Sequence, residues 1–263
     1  MSNISLLKLL KLKDYITLIG STLGIISLIC ASIGGRELIS LGFFLISISL
    51  GTDLIDGYIA RKTQTVNEMG KELDSLSDSL TFGIAPAVLA FQAFKTGSIF
   101  DLIIIIGSIC FAFGAILRLA RFNLSENPGY TGLPTPISAL IMIMYFYANY
   151  FYAFAQGGIT EAFFPIVSYL VPLLMIFLAW INITTYLGFK EKDKLIYVLF
   201  IILAPLCPIF GIIGILNPNF LVSMIISIFF LCALIITFGL IIRGFLFQNF
   251  GKKKPTNIHN QRI

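Results

Sequence analysis

Long apolar runs separated by short polar breaks dominate the chain. Eight of them, at approximately 16–34, 37–60, 74–94, 99–121, 134–155, 162–187, 194–214 and 219–245, are long enough to span the hydrocarbon of a bilayer as helices. A lipid-exposed segment must satisfy its backbone groups internally, which favours helix in every run. Ahead of the first run, residues 1–15 place leucines and lysines at helical spacing, the pattern of a short amphipathic helix lying on the membrane surface. Residues 246–263 form a polar, basic tail. The expected fold is all-α, a polytopic membrane bundle of about eight transmembrane helices. It forms one membrane domain over 1–263, with the bundle at 16–245 and neither a soluble domain nor an internal repeat. The first run lacks a small-residue cleavage site at its end and is expected to remain as a helix.

Composition agrees with this pattern. Hydrophobic residues make up 57% of the chain and charged residues 12%, against about 25% charged in soluble domains. With eight spans and an inner N-terminus, only Arg36 and Lys95 of the 18 Lys and Arg residues fall on the outer side. The positive-inside rule then puts both termini in the cytoplasm and the chain in the cytoplasmic membrane. In that setting the net charge of +5 reads as loops facing anionic lipid heads, and no nucleic-acid partner is expected. Cys30, Cys110, Cys207 and Cys232 lie in apolar runs without metal-ligand spacing and read as small hydrophobes. The only histidine, His259, stands in the tail, so any acid–base chemistry must use carboxylates.

Four carboxylates interrupt the apolar pattern: Asp53, Asp56, Asp74 and Asp78. A carboxylate at the centre of a membrane helix costs about 2.5–3.5 kcal/mol, so four would cost roughly 10–14 kcal/mol. Asp53 and Asp56 are three apart and Asp74 and Asp78 four apart, so each pair shares a helix face. Two antiparallel helices joined by the loop from about Arg61 to Leu73 can turn these faces toward each other. The outcome is an oxygen-only nest at the cytoplasmic end, suited to a hard cation: magnesium, manganese or calcium. One divalent ion would leave a charge of −2 and repel an anionic substrate, whereas two divalent cations balance the nest, as in dimetal phosphoryl-transfer sites. Gly57 and Ala60 leave room for a ligand beside the first pair, Gly70 does the same before the third helix, and Arg61 can meet a phosphate. The competing reading pairs the aspartates with Arg61, Lys62 and Lys71 as surface ion pairs, which would not require Gly and Ala at those places.

The string Asp53-x-x-Asp56-Gly57-x-x-Ala60-Arg61, then Gly70-x-x-x-Asp74-x-x-x-Asp78, resembles the signature of the CDP-alcohol phosphatidyltransferases, with every fixed position filled. The resemblance implies transfer of a phosphatidyl group from a CDP-activated lipid to an alcohol, with release of CMP. It implies Asp53, Asp56 and Asp74 as ligands of one metal and Asp53, Asp74 and Asp78 as ligands of the second. It further implies Asp78 as the base that takes the acceptor's proton, Gly57, Ala60, Arg61 and Gly70 as the nucleotide pocket, and a homodimer.

The acceptor must be read elsewhere. The stretches DSLSD with FGIAP after it, RLARFN at 118–123 and GLPTP at 132–136 resemble the membrane-embedded phosphatidylserine synthases within that family, which implies L-serine as acceptor. Arg118 and Arg121, three apart on one helix face, offer forked donors to a carboxylate or phosphate, and Asn123 can bond the acceptor or turn the chain. An acceptor bearing phosphate, glycerol-3-phosphate or inositol-1-phosphate, would suit the same arginines. A divalent-cation transporter is the reading from another class, disfavoured because all four aspartates lie near one membrane face. Trp180, Tyr145, Tyr147, Tyr150 and Tyr152 read as interfacial or packing residues, and Pro172, Pro205 and Pro208 as helix kinks. Asn182 and Thr185 read as helix–helix hydrogen bonding or as lining of the acceptor pocket. Lys8, Lys11 and Lys13 either hold the surface helix on anionic lipid or reach the nucleotide.

Overall fold

The structure, a computed structural model, describes residues 10–251 except 64–67, 125–129, 159–160, 186–187, 190–197, 199–200, 204, 211 and 213–218. Among the described residues, seven helical stretches are long and apolar enough to cross a membrane. In chain order they are α1 (Leu12–Ile33), α2 (Arg36–Thr63), a composite third stretch, α5 (Asp101–Leu124), α6 (Thr135–Gly157), α7 (Pro165–Ile183) and α8 (Phe220–Gly251). The composite consists of α3 (Glu68–Asp78), a π-helical turn (Ser79–Ile84) and α4 (Ala85–Phe94). The chain is thus an all-α integral membrane protein. Most of the expected span at 194–214 lies outside the described residues, although 201–203 and 205–210 are helical. Residues 1–9 of the expected surface helix are likewise outside them. Its remaining part behaves differently from the expectation: from Leu12 on, the chain is already in α1.

Small residues set the close helix contacts. On α5, a Cβ at Gly107 would stand 2.9 Å from Pro172 Cα, and one at Gly114 would stand 2.7 Å from Ala179 Cα. Both pairs are two turns apart on their own helices, so α5 and α7 run parallel with their backbones in near contact. Pro172, inside α7, therefore meets a glycine groove. On α1 the buried residues recur every three to four positions: Lys13, Thr17, Gly20, Gly24, Ser27 and Ala31. A Cβ at Gly20 would meet the Thr52 hydroxyl of α2 at 2.9 Å, and one at Gly24 would stand 3.2 Å from Thr81 Cα.

The core is centred on α6, whose aromatic residues fill the bundle. Tyr147 stacks on Phe230 of α8 at 5.3 Å and Phe146 on Phe43 of α2 at 4.3 Å. Tyr145, Tyr147 and Tyr150 thus pack inside, while Tyr152 and Trp180 remain exposed where lipid would lie. Cys30 and Cys207 are buried, as expected of small hydrophobes, but Cys232 is exposed on α8. A two-residue antiparallel bridge pairs Tyr130 with Phe189 and Thr131 with Gly188, tying the α5–α6 connection to the segment after α7.

Candidate functional site

Every polar group of interest gathers at one end of the bundle: the start of α1, the end of α2, the start of α3, the end of α5, the start of α6 and the end of α7. Arg36 and Lys95 lie at the opposite end. Asp53 and Asp56 on α2 face Asp74 on α3, and one carboxylate oxygen from each falls within 4.8 Å of the others. Asp56 is 7% exposed, whereas Asp53 and Asp74 are half-buried. Asp78 stands one turn beyond Asp74 and interacts electrostatically with Asp53, Asp74, Asp56 and Arg118. The helical spacing thus brings Asp53, Asp56 and Asp74 into one cluster, with Asp78 one turn further along the same helix.

The chemistry of this donor set fits a hard divalent cation. Three carboxylates packed this closely repel one another strongly unless a cation joins them, and their oxygen-only character matches magnesium or manganese. The ion-pair reading is weakened by where two of its cations go. Lys71 Nζ donates to the Asn123 carbonyl oxygen at 3.2 Å, and Lys62 Nζ lies over the Tyr58 ring at 5.9 Å. Gly57 lies next to Asp56 on α2 and Gly70 is buried in the first turn of α3. Ala60 and Arg61 belong to the last turns of α2, but their side chains are outside the described residues.

Three contributors come from α1, which the sequence reading assigned to the bilayer or its surface. The Thr17 hydroxyl donates to Asp56 Oδ2 at 2.9 Å, fixing the orientation of that carboxylate. Asp14, 1% exposed, accepts from the Lys11 N–H at 2.7 Å and pairs with Lys13 Nζ at 3.0 Å. Lys13 is buried as well and acts electrostatically on Asp56 and Asp74. One step further along α1, the Ser21 hydroxyl donates to Ser77 Oγ at 2.7 Å and so links α1 to α3. The signal was present in the three-to-four-residue polar and small stripe of α1, but a lysine and an aspartate side by side look like a membrane-surface boundary.

Directly after Asp78 the helix widens into the π-helical turn, where the Ala85 N–H donates to Leu80 O. Pro86, just past it, has no N–H to give and its ring crowds the carbonyl of Phe82, so a widened turn relieves the clash. Gly83 in this turn lets α5 approach: a Cβ there would stand 3.0 Å from Ala115 Cβ.

The arginines divide their work. Arg118, 7% exposed, reaches the Thr135 hydroxyl on α6 at 3.2 Å and acts electrostatically on Asp78. Arg121 Nη1 donates to Ile183 O at 2.7 Å and Nη2 to Asn182 O at 3.4 Å, satisfying carbonyls at the negative end of the α7 dipole. Asn123 bonds Ser75 Oγ at 2.9 Å and Glu72 at 3.5 Å, tying α5 to α3. Of the expected acceptor residues, then, Arg118 stands beside the aspartates, while Arg121 and Asn123 hold neighbouring elements together.

Comparison with known proteins bears on this site directly. A family model described as CDP-alcohol phosphatidyltransferase matches residues 10–185, which include all four aspartates and both arginines. The CDP-diacylglycerol–serine O-phosphatidyltransferase of Methanocaldococcus jannaschii is 37% identical over 139 residues, 53% of this chain and 62% of that protein. The Helicobacter pylori protein of the same name is 33% identical over 165 residues, 61% of this chain and 68% of its own. The archaetidylserine synthase of Methanothermobacter thermautotrophicus is 35% identical over 146 residues, 54% of this chain and 60% of its own. The chain thus spans roughly three fifths to two thirds of the length of these relatives. A match over residues 10–185, which takes in the carboxylate nest, makes the chain a member of the CDP-alcohol phosphatidyltransferase family.

Proposed function

We propose that this protein transfers the phosphatidyl group of a CDP-activated lipid, of the CDP-diacylglycerol or CDP-archaeol type, to the hydroxyl of L-serine and releases CMP. The observation that carries the reading is the three-carboxylate cluster of Asp53, Asp56 and Asp74 with Asp78 and Arg118 beside it. The serine-specific names of the relatives favour serine over glycerol-3-phosphate or inositol-1-phosphate.

In this reading Asp53, Asp56 and Asp74 hold one divalent cation and Asp53, Asp74 and Asp78 a second, magnesium or manganese. When bound, these ions supply positive charge to the diphosphate of the substrate. Asp78 takes the proton from the serine hydroxyl, which is a weak nucleophile at neutral pH without such a base. The serine oxygen forms a bond to the phosphorus nearer the lipid, and the bond from that phosphorus to the CMP oxygen breaks. Gly57, Ala60, Arg61 and Gly70 flank the nucleotide, with Lys13 as an added positive charge on the α1 side. The active site faces the cytoplasm, where serine and CTP-derived substrates are soluble or accessible, and the protein works as a homodimer.

The test supplies purified protein with CDP-diacylglycerol, labelled L-serine and manganese or magnesium. Label entering lipid in step with CMP release is the expected outcome. CMP release without serine, or a new lipid product formed only when glycerol-3-phosphate or inositol-1-phosphate replaces serine, would remove serine as acceptor.

A further inference from the structure

Beyond Arg118 lies a second buried polar cluster with none of the four aspartates in it. Thr135 and Ser138, three apart at the start of α6, are both fully buried and share one face. Thr135 meets Arg118, and the Ser138 hydroxyl donates to Asn182 Oδ1 on α7 at 2.5 Å. Asn182 is 0% exposed, and its Nδ2 has no hydrogen-bond partner among the described residues. Turning the amide over would only move the deficit to the oxygen, so one polar atom of Asn182 is unsatisfied either way. A buried amide left half-paired in a low-dielectric bundle is destabilising, and a leucine or serine would fill the place without that penalty. The backbone around it is built closely: Gly132 has φ +84°, a Cβ there would collide with the Asn182 carbonyl, and the Leu133 N–H donates to Ile181 O at 3.2 Å.

We infer that Asn182, presented by Ser138 and working with Arg118, recognises the carboxylate of the acceptor and makes the enzyme select an amino acid over a neutral alcohol. The inference rests on the serine reading above and deepens it. Arg118 connects the two clusters, since it faces Asp78 on one side and holds Thr135 on the other. A serine whose hydroxyl lies at Asp78 has its carboxyl carbon three bonds further on, which lets the carboxylate reach toward Arg118 and the α6 start. One guanidinium with neutral amide and hydroxyl donors balances a single negative charge. A phosphate carrying nearly two charges would stay undercompensated beside four aspartates, because Arg121 already serves the α7 carbonyls. A polar site built for one group rejects the analogue that lacks it, which gives discrimination that apolar packing cannot.

The test compares L-serine with serinol, which keeps the hydroxyl and amine and lacks the carboxylate, in the full-length protein with CDP-diacylglycerol. Wild type is expected to prefer serine strongly, and serinol used as efficiently as serine would overturn the proposal without any variant. Asn182→Asp sets a carboxylate against the acceptor's own. It is expected to raise the KM for serine about tenfold or more, leave the KM for CDP-diacylglycerol within about twofold, and spare turnover of serinol. Ser138→Ala, a smaller change that keeps the core apolar, is expected to shift the serine KM in the same direction. Serine and serinol falling in parallel in both variants would mark the cluster as packing alone and overturn the proposal. A wild type that makes phosphatidylserine while the variants behave in that parallel way removes only this inference. A wild type that labels lipid from glycerol-3-phosphate and not from serine removes the serine reading, and the carboxylate assignment with it.

Discussion

In the proposed reaction two single residues matter most, Asp78 as the base and Thr17 behind a metal ligand. Asp78 interacts electrostatically with the other three carboxylates and with Arg118. Asp78→Asn keeps the shape of the side chain but cannot take a proton. Turnover is expected to fall by about 10²–10⁴-fold, the range for loss of a positioned base, while CDP-lipid still binds. Single-turnover kinetics with a separate nucleotide-binding measurement check this, and near-normal turnover would exclude Asp78 as base. Thr17 acts at one remove, through its hydrogen bond to Asp56 Oδ2. Thr17→Val keeps the branched shape and deletes that bond. The manganese or magnesium concentration for half-maximal activity is expected to rise about 10-fold or more, as for other residues that orient metal ligands. Unchanged metal dependence would make the Thr17 bond a packing detail.

At the scale of elements, the close approach of α5 and α7 positions Arg118 over α6 and Asn182 beside Ser138. Gly114 meets Ala179 at backbone distance, so Gly114→Leu must push the two helices apart. The expected loss is about 1–3 kcal/mol, typical of overpacking, read as a lowered unfolding temperature in detergent. A variant as stable as wild type would show that the contact tolerates separation. Much at this scale was legible in the sequence, because hydrophobic run length reports directly on helices in lipid. The aspartate nest was legible too, since spacings of three and four fix a shared face whatever surrounds the helix. Other features depend on which helix lies beside which, and one sequence does not carry that. Lys13 and Asp14 resemble a membrane-surface boundary until α2 and α3 pack over them. Arg121 and Asn123 read as acceptor ligands by type, and the sequence does not show the bonds they also make to the end of α7 and to residues of α3. The π-helical turn after Asp78 leaves only the faint trace of Pro86.

For the molecule as a whole, the segregation of charge defines a working end and a quiet end. Lys71 stands at the aspartate end, and Lys95 lies beyond α4 at the other. In intact cells, Lys95→Cys on a background lacking the native cysteines is expected to react with a membrane-impermeant thiol reagent, and Lys71→Cys only after permeabilisation. The reverse pattern would place the active site on the outer side. If the carboxylate nest holds the proposed cations, the whole reaction depends on metal. Treatment with a chelator is expected to abolish turnover, and added manganese or magnesium to restore it, with helical content unchanged by circular dichroism. Full activity after exhaustive chelation would contradict the assignment of Asp53, Asp56 and Asp74 as ligands.

If this nest drives transfer from a CDP-lipid to serine, CMP and phosphatidylserine must appear together. Purified protein in mixed micelles receives CDP-diacylglycerol, labelled L-serine and manganese, and CMP and labelled lipid are followed together. Equal amounts of CMP and phosphatidylserine, both abolished in Asp78→Asn, are the expected result. CMP released without labelled lipid, or labelled lipid formed equally well by Asp78→Asn, would contradict the account.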